Sequence, residues 1–253
     1  MPVVAVLMPF ALWWLGILAL EARGISSIVL RTPVQLAQDL FLADNAAQIW
    51  TRLLAALAST VPYCLLGMIA GLGFALVFAI VSTLWKALGH VLLPFALVSQ
   101  SMPLVALTPL IVLIFGRDAF AVIVITISVT FFPAFVTIAQ GLELVPPSLL
   151  DYVRGTGGSP FTRLRLIALP WSLPYLCAAA RLAAPRAFLG VMIAEWLASG
   201  TGIGDLLNQA RGSLEYGMIW NVAMISVLIA VALHQFAAVI ERLVLRRYAM
   251  TTD

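Results

Sequence analysis

The sequence predicts an all-α membrane protein, a bundle of about six transmembrane helices with a helix–turn–helix element on one face. Three observations predict it. Of 253 residues, 63% are hydrophobic and only 10% charged, against roughly 45–50% and about 25% in a soluble domain. The apolar residues fall in runs near the length of about 20 that a helix needs to cross the hydrocarbon core. One long polar insert, 142–170, interrupts those runs. So few charges cannot clothe a globular surface, and most of the outer face must meet lipid.

The apolar run 3–20 comes first. No Lys or Arg precedes it and its apolar part is long for a signal-peptide core, so it reads as a retained first helix. With the outer linker behind it, it makes up 1–45. The stretch 21–60 is too polar to cross. Its second half sets Ile49, Leu53, Leu54 and Leu57 on one helical face, the pattern of an amphipathic helix lying at the outer interface. The core, 46–247, holds five further spans at about 61–84, 91–115, 119–140, 171–197 and 217–240. Charge or turn residues separate the spans: Glu21–Arg23, Trp85-Lys86, Gly116-Arg117-Asp118, the insert 142–170, and Gly200–Glu215.

Within the second span Gly67 and Gly71 form a GxxxG pattern, which permits close helix approach. Pro94, Pro103 and Pro109 interrupt the third, Pro133 the fourth, Pro174 and Pro185 the fifth. Each removes a helix hydrogen bond that a neighbouring helix or a water-lined cavity must compensate. Bent helices of this kind suit an internal passage, or they shape the packing. Arginine and lysine counts set the orientation. With both termini cytoplasmic, the inner segments hold Lys86, Arg154, Arg163, Arg165, Arg242, Arg246 and Arg247, and 248–253 is a cytoplasmic tail. The outer segments then hold Arg23, Arg31, Arg52, Arg117 and Arg211.

Several functions are excluded on the same page. The net charge of +3 comes with no basic stripe, which argues against nucleic acid. Cys64 and Cys177 lie far apart in apolar runs without CxxC spacing, so they read as buried thiols. His90 and His234 are the only imidazoles and neither has a cluster of ligands around it. No metal site and no convergent catalytic site is expected.

The informative segment is the insert 142–170. Pro147 suits the first turn of a short helix, where its missing N–H is harmless. Asp151 follows early enough to favour the positive dipole end. Gly155, Gly157 and Gly158 end that helix, Ser159-Pro160 caps a second one over 160–168, and Leu169-Pro170 breaks it to start the fifth span. The product is a helix–turn–helix elbow between two membrane helices, able to carry a push from a partner into the bundle.

This elbow resembles the coupling loop of ABC importer permeases, a motif of Glu-Ala-Ala, three residues, Gly, and Leu-Pro thirteen residues on. Asp151, Tyr152 and Val153 stand on the Glu-Ala-Ala positions, Gly157 on the glycine, and Leu169-Pro170 on the final pair. Asp151 is a shorter acid than the motif's, and Tyr152 and Val153 are bulkier than its alanines. The likeness covers roughly 50–247. Ser99 to Pro109 with Phe115-Gly116, then Ile193-Ala194-Glu195 and Gly202-Ile203-Gly204, are similar to nitrate/sulfonate/taurine-type permeases.

The resemblance implies a type I ABC importer permease in a bacterial inner membrane, working by alternating access. It implies as partners two cytoplasmic ATPase subunits, a second permease subunit forming a homodimer, and an extracytoplasmic solute-binding protein. ATP and Mg²⁺ would sit on the ATPase, with no cofactor on this chain, which has no GxxxxGK[ST] loop. The ATPase-coupling residues would be Leu150, Asp151, Tyr152, Val153, Arg154, Gly157 and Pro170. The solute would be a sulfonate-, taurine- or nitrate-like anion, or an aromatic vitamin precursor.

Candidates for the translocation path are Ser99, Gln100, Met102 and Thr108 in the third span and Arg181, Arg186 and Glu195 in the fifth. Charges in spans are functional candidates because they are expensive there. Arg181 and Glu195 share a helical face but stand about 21 Å apart along it, too far to pair. The arginines either draw an anionic solute or pair with neighbouring helices. A stand-alone channel or secondary carrier is the alternative, and it leaves the elbow unexplained.

Overall fold

The computed structural model describes residues 2–24 and 29–248, and every regular element among them is a helix. The expected tail 248–253 lies outside these residues except for Tyr248. Helix α1 is Pro2–Glu21, α2 Pro33–Phe41, α3 Ala46–Leu84, α4 Lys86–Gln100, α5 Leu104–Phe115 and α6 Ala119–Glu143. Then come α7 Pro147–Gly155, α8 Pro160–Arg163, α9 Leu169–Ala194, α10 Ile203–Gly212 and α11 Tyr216–Arg247. A π-helical stretch, Leu164–Ala168, welds α8 to α9, and a second, Glu195–Ser199, prolongs α9.

Among the described residues, four helices are long and apolar enough to cross a membrane: α3, α6, the rod Pro160–Ser199, and α11. The bent pair α4–α5 makes a fifth if counted as one broken span. Helix α1, at 20 residues, has the length of a further crossing.

Side-chain size dictates how they pack. A methyl group added to Gly67 would lie 2.5 Å from Thr126, and one on Gly71 would strike the Thr130 hydroxyl. The GxxxG pair therefore seats α3 against α6 within one chain, the two running parallel. Helix α9 returns antiparallel to α6, with Gly141 against the Tyr175 ring and Gly190 against Val129. Van der Waals contact at this range is what joins helices in lipid, where no hydrophobic drive exists between them. Two buried clusters result. One gathers Leu53, Val122, Ile125, Phe188, Val191 and Val222 at the end where α3 begins. The other gathers Ala75, Ala79, Phe135, Ile138 and Ala168 at the end where α6 finishes.

Three expectations are corrected. The amphipathic segment is no separate interfacial helix: 46–60 continues unbroken into the second span as α3, and Ile49 and Leu53 are buried in the core beside α10 and α11. The helix is 39 residues, or about 58 Å, nearly twice the hydrocarbon thickness, so its polar first turns need not enter lipid. The third span 91–115 is not one helix. It breaks between Gln100 and Leu104 with a bend of 108°, because Pro103 disfavours helical geometry at Met102 and is itself extended (φ −64°, ψ 116°). Conversely, Leu169-Pro170 does not break the chain. Leu169 N–H reaches back to Leu164 O, and this wider π-helical turn takes the proline ring without interruption. The second elbow helix, expected over 160–168, is thus the first part of a single 40-residue rod. Pro133, Pro174 and Pro185, and Pro62, are likewise carried inside helices.

One further helix, α2, carries a local start signal. Thr32-Pro33-Val34-Gln35 is a capping box ahead of α2: Gln35 N–H donates to Thr32 Oγ1 (3.2 Å) and Thr32 N–H to Gln35 Oε1 (2.9 Å).

Candidate coupling elbow and membrane path

The elbow stands at the end of the bundle where α3 and α6 finish. Pro147 opens α7 in its first turn, as its sequence predicts. The helix closes in a Schellman arrangement: Gly158 N–H donates to Val153 O (2.8 Å) and Gly157 N–H to Arg154 O (3.0 Å). Gly157 takes φ +82° with open space around it, so its backbone angle and not its size requires glycine. Gly158 is required for the opposite reason, since a methyl there would collide with Val153. Ser159 then caps α8, its Oγ accepting from Thr162 N–H (3.1 Å). Both turns are therefore fixed by local hydrogen bonds.

What this fixed elbow presents is an apolar and charged surface. Tyr152 is 74% exposed, Phe161 63% and Leu149 40%. Val153 faces inward and is buried, and Leu150 packs partly against the second core cluster. Asp151 lies beyond the first turn of α7, so the expected dipole contact is absent; it faces Arg154 across 3.8 Å at the surface. Pro170 sits within the rod.

The path candidates separate. Ser99 and Thr108 spend their hydroxyls on their own helices, donating to Phe95 O and Leu104 O. Thr108 is buried, while Gln100 and Met102 are exposed at the break. Arg181 is paired with Glu241 of α11 at 3.0 Å. Arg186 is exposed and lines a water-sized gap with Thr130 and Thr137.

Glu195 is 1% exposed at the opposite end of the rod. Its Oε2 accepts from Thr60 Oγ1 (2.9 Å) and Gly204 N–H (3.1 Å), and Thr60 Oγ1 accepts in turn from Ile203 N–H (2.8 Å). One carboxylate thus ties α3, α9 and α10 together. A methyl at Gly202 would strike this carboxylate, and Gly202 also takes φ +92°. The sequence reading named Gly202 to Gly204 by likeness alone and missed Thr60 and Glu241. A lone threonine at the edge of an apolar run gives no signal, and Glu241 falls just outside the expected span 217–240.

A bundle of parallel and antiparallel apolar helices with a hydrogen-bonded elbow at one end is the architecture of a multi-pass membrane protein. The chain belongs to the family of binding-protein-dependent transport system inner membrane components, whose model matches residues 66–249. It is 30% identical over 169 residues to a "Probable ABC transporter permease protein" of Haemophilus influenzae, covering 67% of this chain and 69% of that one. It is 27% identical over 243 residues to the riboflavin transport system permease protein RibX of Chloroflexus aurantiacus, covering 96% and 88%. Among solved structures, an amino acid ABC transporter shares the fold at TM-score 0.64 and 14% identity, over 78% of this chain and 95% of that one.

Proposed function

We propose that this ABC permease works by alternating access, with the elbow 147–168 as the docking site for a separate ATPase. The observation that carries the reading is the weld between elbow and bundle. Tyr152 and Phe161 stand exposed on hydrogen-bonded turns, and the second elbow helix is continuous with α9. A partner gripping that surface moves a membrane helix directly, with no flexible joint to absorb the stroke. Leu150, Asp151, Tyr152, Val153, Arg154, Gly157 and Pro170 form or support the contact. The partners are two ATPase copies that hold ATP and Mg²⁺, a solute-binding protein at the far end, and a second copy of this chain. Both termini lie on the ATPase side.

For the solute, the pairing of Arg181 with Glu241 cancels one of the two charges that favoured an anion. Of two relatives that cover most of this chain, one is named for riboflavin and one for aliphatic sulfonates. The loss of one free charge weighs against an anion, and an aromatic, vitamin-type solute is favoured over a sulfonate- or nitrate-like one. The exposed positions at the α4–α5 break, Gln100 and Met102, with Arg186, are the path groups left free to meet it.

Co-purification with the candidate ATPase tests the docking site. The wild-type chain is expected to retain the ATPase under mild extraction, while Asp151→Arg and Gly157→Trp lose it without losing the folded bundle. If no ATPase associates, or both variants keep it, the chain works without this coupling and a secondary carrier takes its place.

A further inference from the structure

At the end of the bundle opposite the elbow, α2, the first turns of α3 and the start of α11 enclose a polar cavity of about 270 Å³. That is room for far more than one water, whose share of the liquid is about 30 Å³. Two ion pairs form its walls, Arg31–Asp39 at 4.0 Å and Arg52–Glu215 at 2.6 Å, so their formal charges cancel. The first pair is loose, longer than a hydrogen bond, and the buried Nε of Arg31 has no hydrogen-bond partner among the described residues. Asn221 also lines the cavity. It is 1% exposed, and its Oδ1 finds no donor among the described residues. Buried polar atoms without partners are rare. Here the side chains that carry an unmatched donor and an unmatched acceptor line the same space.

We propose that this cavity binds a zwitterionic phosphoethanolamine group, its phosphate accepting from Arg31 and its ammonium donating to Asn221 Oδ1 beside Asp39. The surroundings favour a phospholipid as its source. Trp50 Nε1 donates to Leu40 O and Trp220 Nε1 to Val29 O, both at 2.8 Å, and Trp13 stacks on Trp220. Indoles concentrate at the membrane–water interface, so the cavity lies at headgroup depth. Next to it, Phe41 and Leu42 are 71% and 78% exposed, an apolar surface for acyl chains beside a polar pocket.

Thermal unfolding of the full chain in mild detergent tests this, with phosphatidylethanolamine, phosphatidylcholine or free phosphoethanolamine added. Choline carries the same charges, but its trimethylated nitrogen has no N–H for Asn221. Phosphatidylethanolamine is expected to raise Tm several degrees more than phosphatidylcholine does. Arg31→Gln and Asn221→Ser should each erase that difference, while Arg211→Gln, at an exposed position of α10, keeps it. A merely structural Arg31 lowers Tm equally in both lipids. If free phosphoethanolamine gives the full shift and the lipid adds nothing, the site stands and its ligand is a soluble zwitterion. If neither ethanolamine compound exceeds phosphatidylcholine, or Arg31→Gln keeps the difference, the cavity holds only water and the proposal is overturned.

Discussion

Glu195 holds three helices through a single carboxylate oxygen, and the substitutions around it separate hydrogen bonding from space. Glu195→Ala leaves Gly204 N–H without its acceptor and removes the Thr60 bond between helices, though Thr60 Oγ1 can still donate to Ala56 O at 3.1 Å, at an expected cost of about 1–3 kcal/mol. Glu195→Gln keeps an acceptor oxygen and is expected to lose less. Gly202→Ala is expected to lose more than Glu195→Gln, because it adds a collision to a left-handed backbone angle. Unfolding measured by denaturant in detergent ranks the three; a Gly202→Ala chain as stable as wild type overturns the arrangement. Arg181 and Glu241 offer a second case. Single alanine variants and the double variant are expected to show a coupling of about 0.5–2 kcal/mol. At this scale the sequence was half legible. Arg181 and Glu195 stood out as charges inside apolar runs, but their partners lie on other helices, and no spacing rule links residues brought together only by the fold.

The elements were more legible where local chemistry decides them. Pro147, Gly157 and Ser159-Pro160 specify the elbow's turns by backbone rules that hold in any context, and the structure has them where the sequence puts them. The two glycines make a testable contrast. Gly157→Ala is expected to loosen the turn by about 1–2 kcal/mol through its positive φ alone, whereas Gly158→Ala drives Val153 out of its buried position. Hydrogen exchange over 147–163 reads both: faster exchange confined to the turn for Gly157→Ala, and spreading into α7 for Gly158→Ala. Proline was the misleading signal. Of the interruptions expected, only Pro103 produces a break, since its neighbours Ser101 and Met102 are not held in any helix. Pro133 in α6 and Pro174 and Pro185 in the rod are carried inside continuous helices packed against one another, a tertiary setting invisible in the local pattern.

For the whole molecule, composition alone gave the class, because no other solvent tolerates such a surface. It did not give the ends of the helices, since a helix can leave the membrane and continue in water with no change in its bonding, as α3 does. The seam between α3 and α6 decides how the bundle closes. Gly71→Ala is expected to destabilise by about 1–3 kcal/mol through overpacking against Thr130, and Thr130→Ala in the same chain should restore part of the loss. Equal stability of the single and double variants would show that the seam is looser than described.

The rod Pro160–Ser199 carries an angular consequence as well. Elbow and Glu195 sit on one continuous helix of about 60 Å, so the direction in which Phe161 points fixes the direction in which Glu195 points. Each residue turns a helix by about 100°. Deleting one residue within the α-helical part between them, Leu169–Ala194, would leave both ends individually well formed but out of phase by that angle, with Glu195 facing away from Thr60. If the elbow docks an ATPase as proposed, such a chain would still grip that partner and still span the membrane, and the stroke would arrive pointing the wrong way.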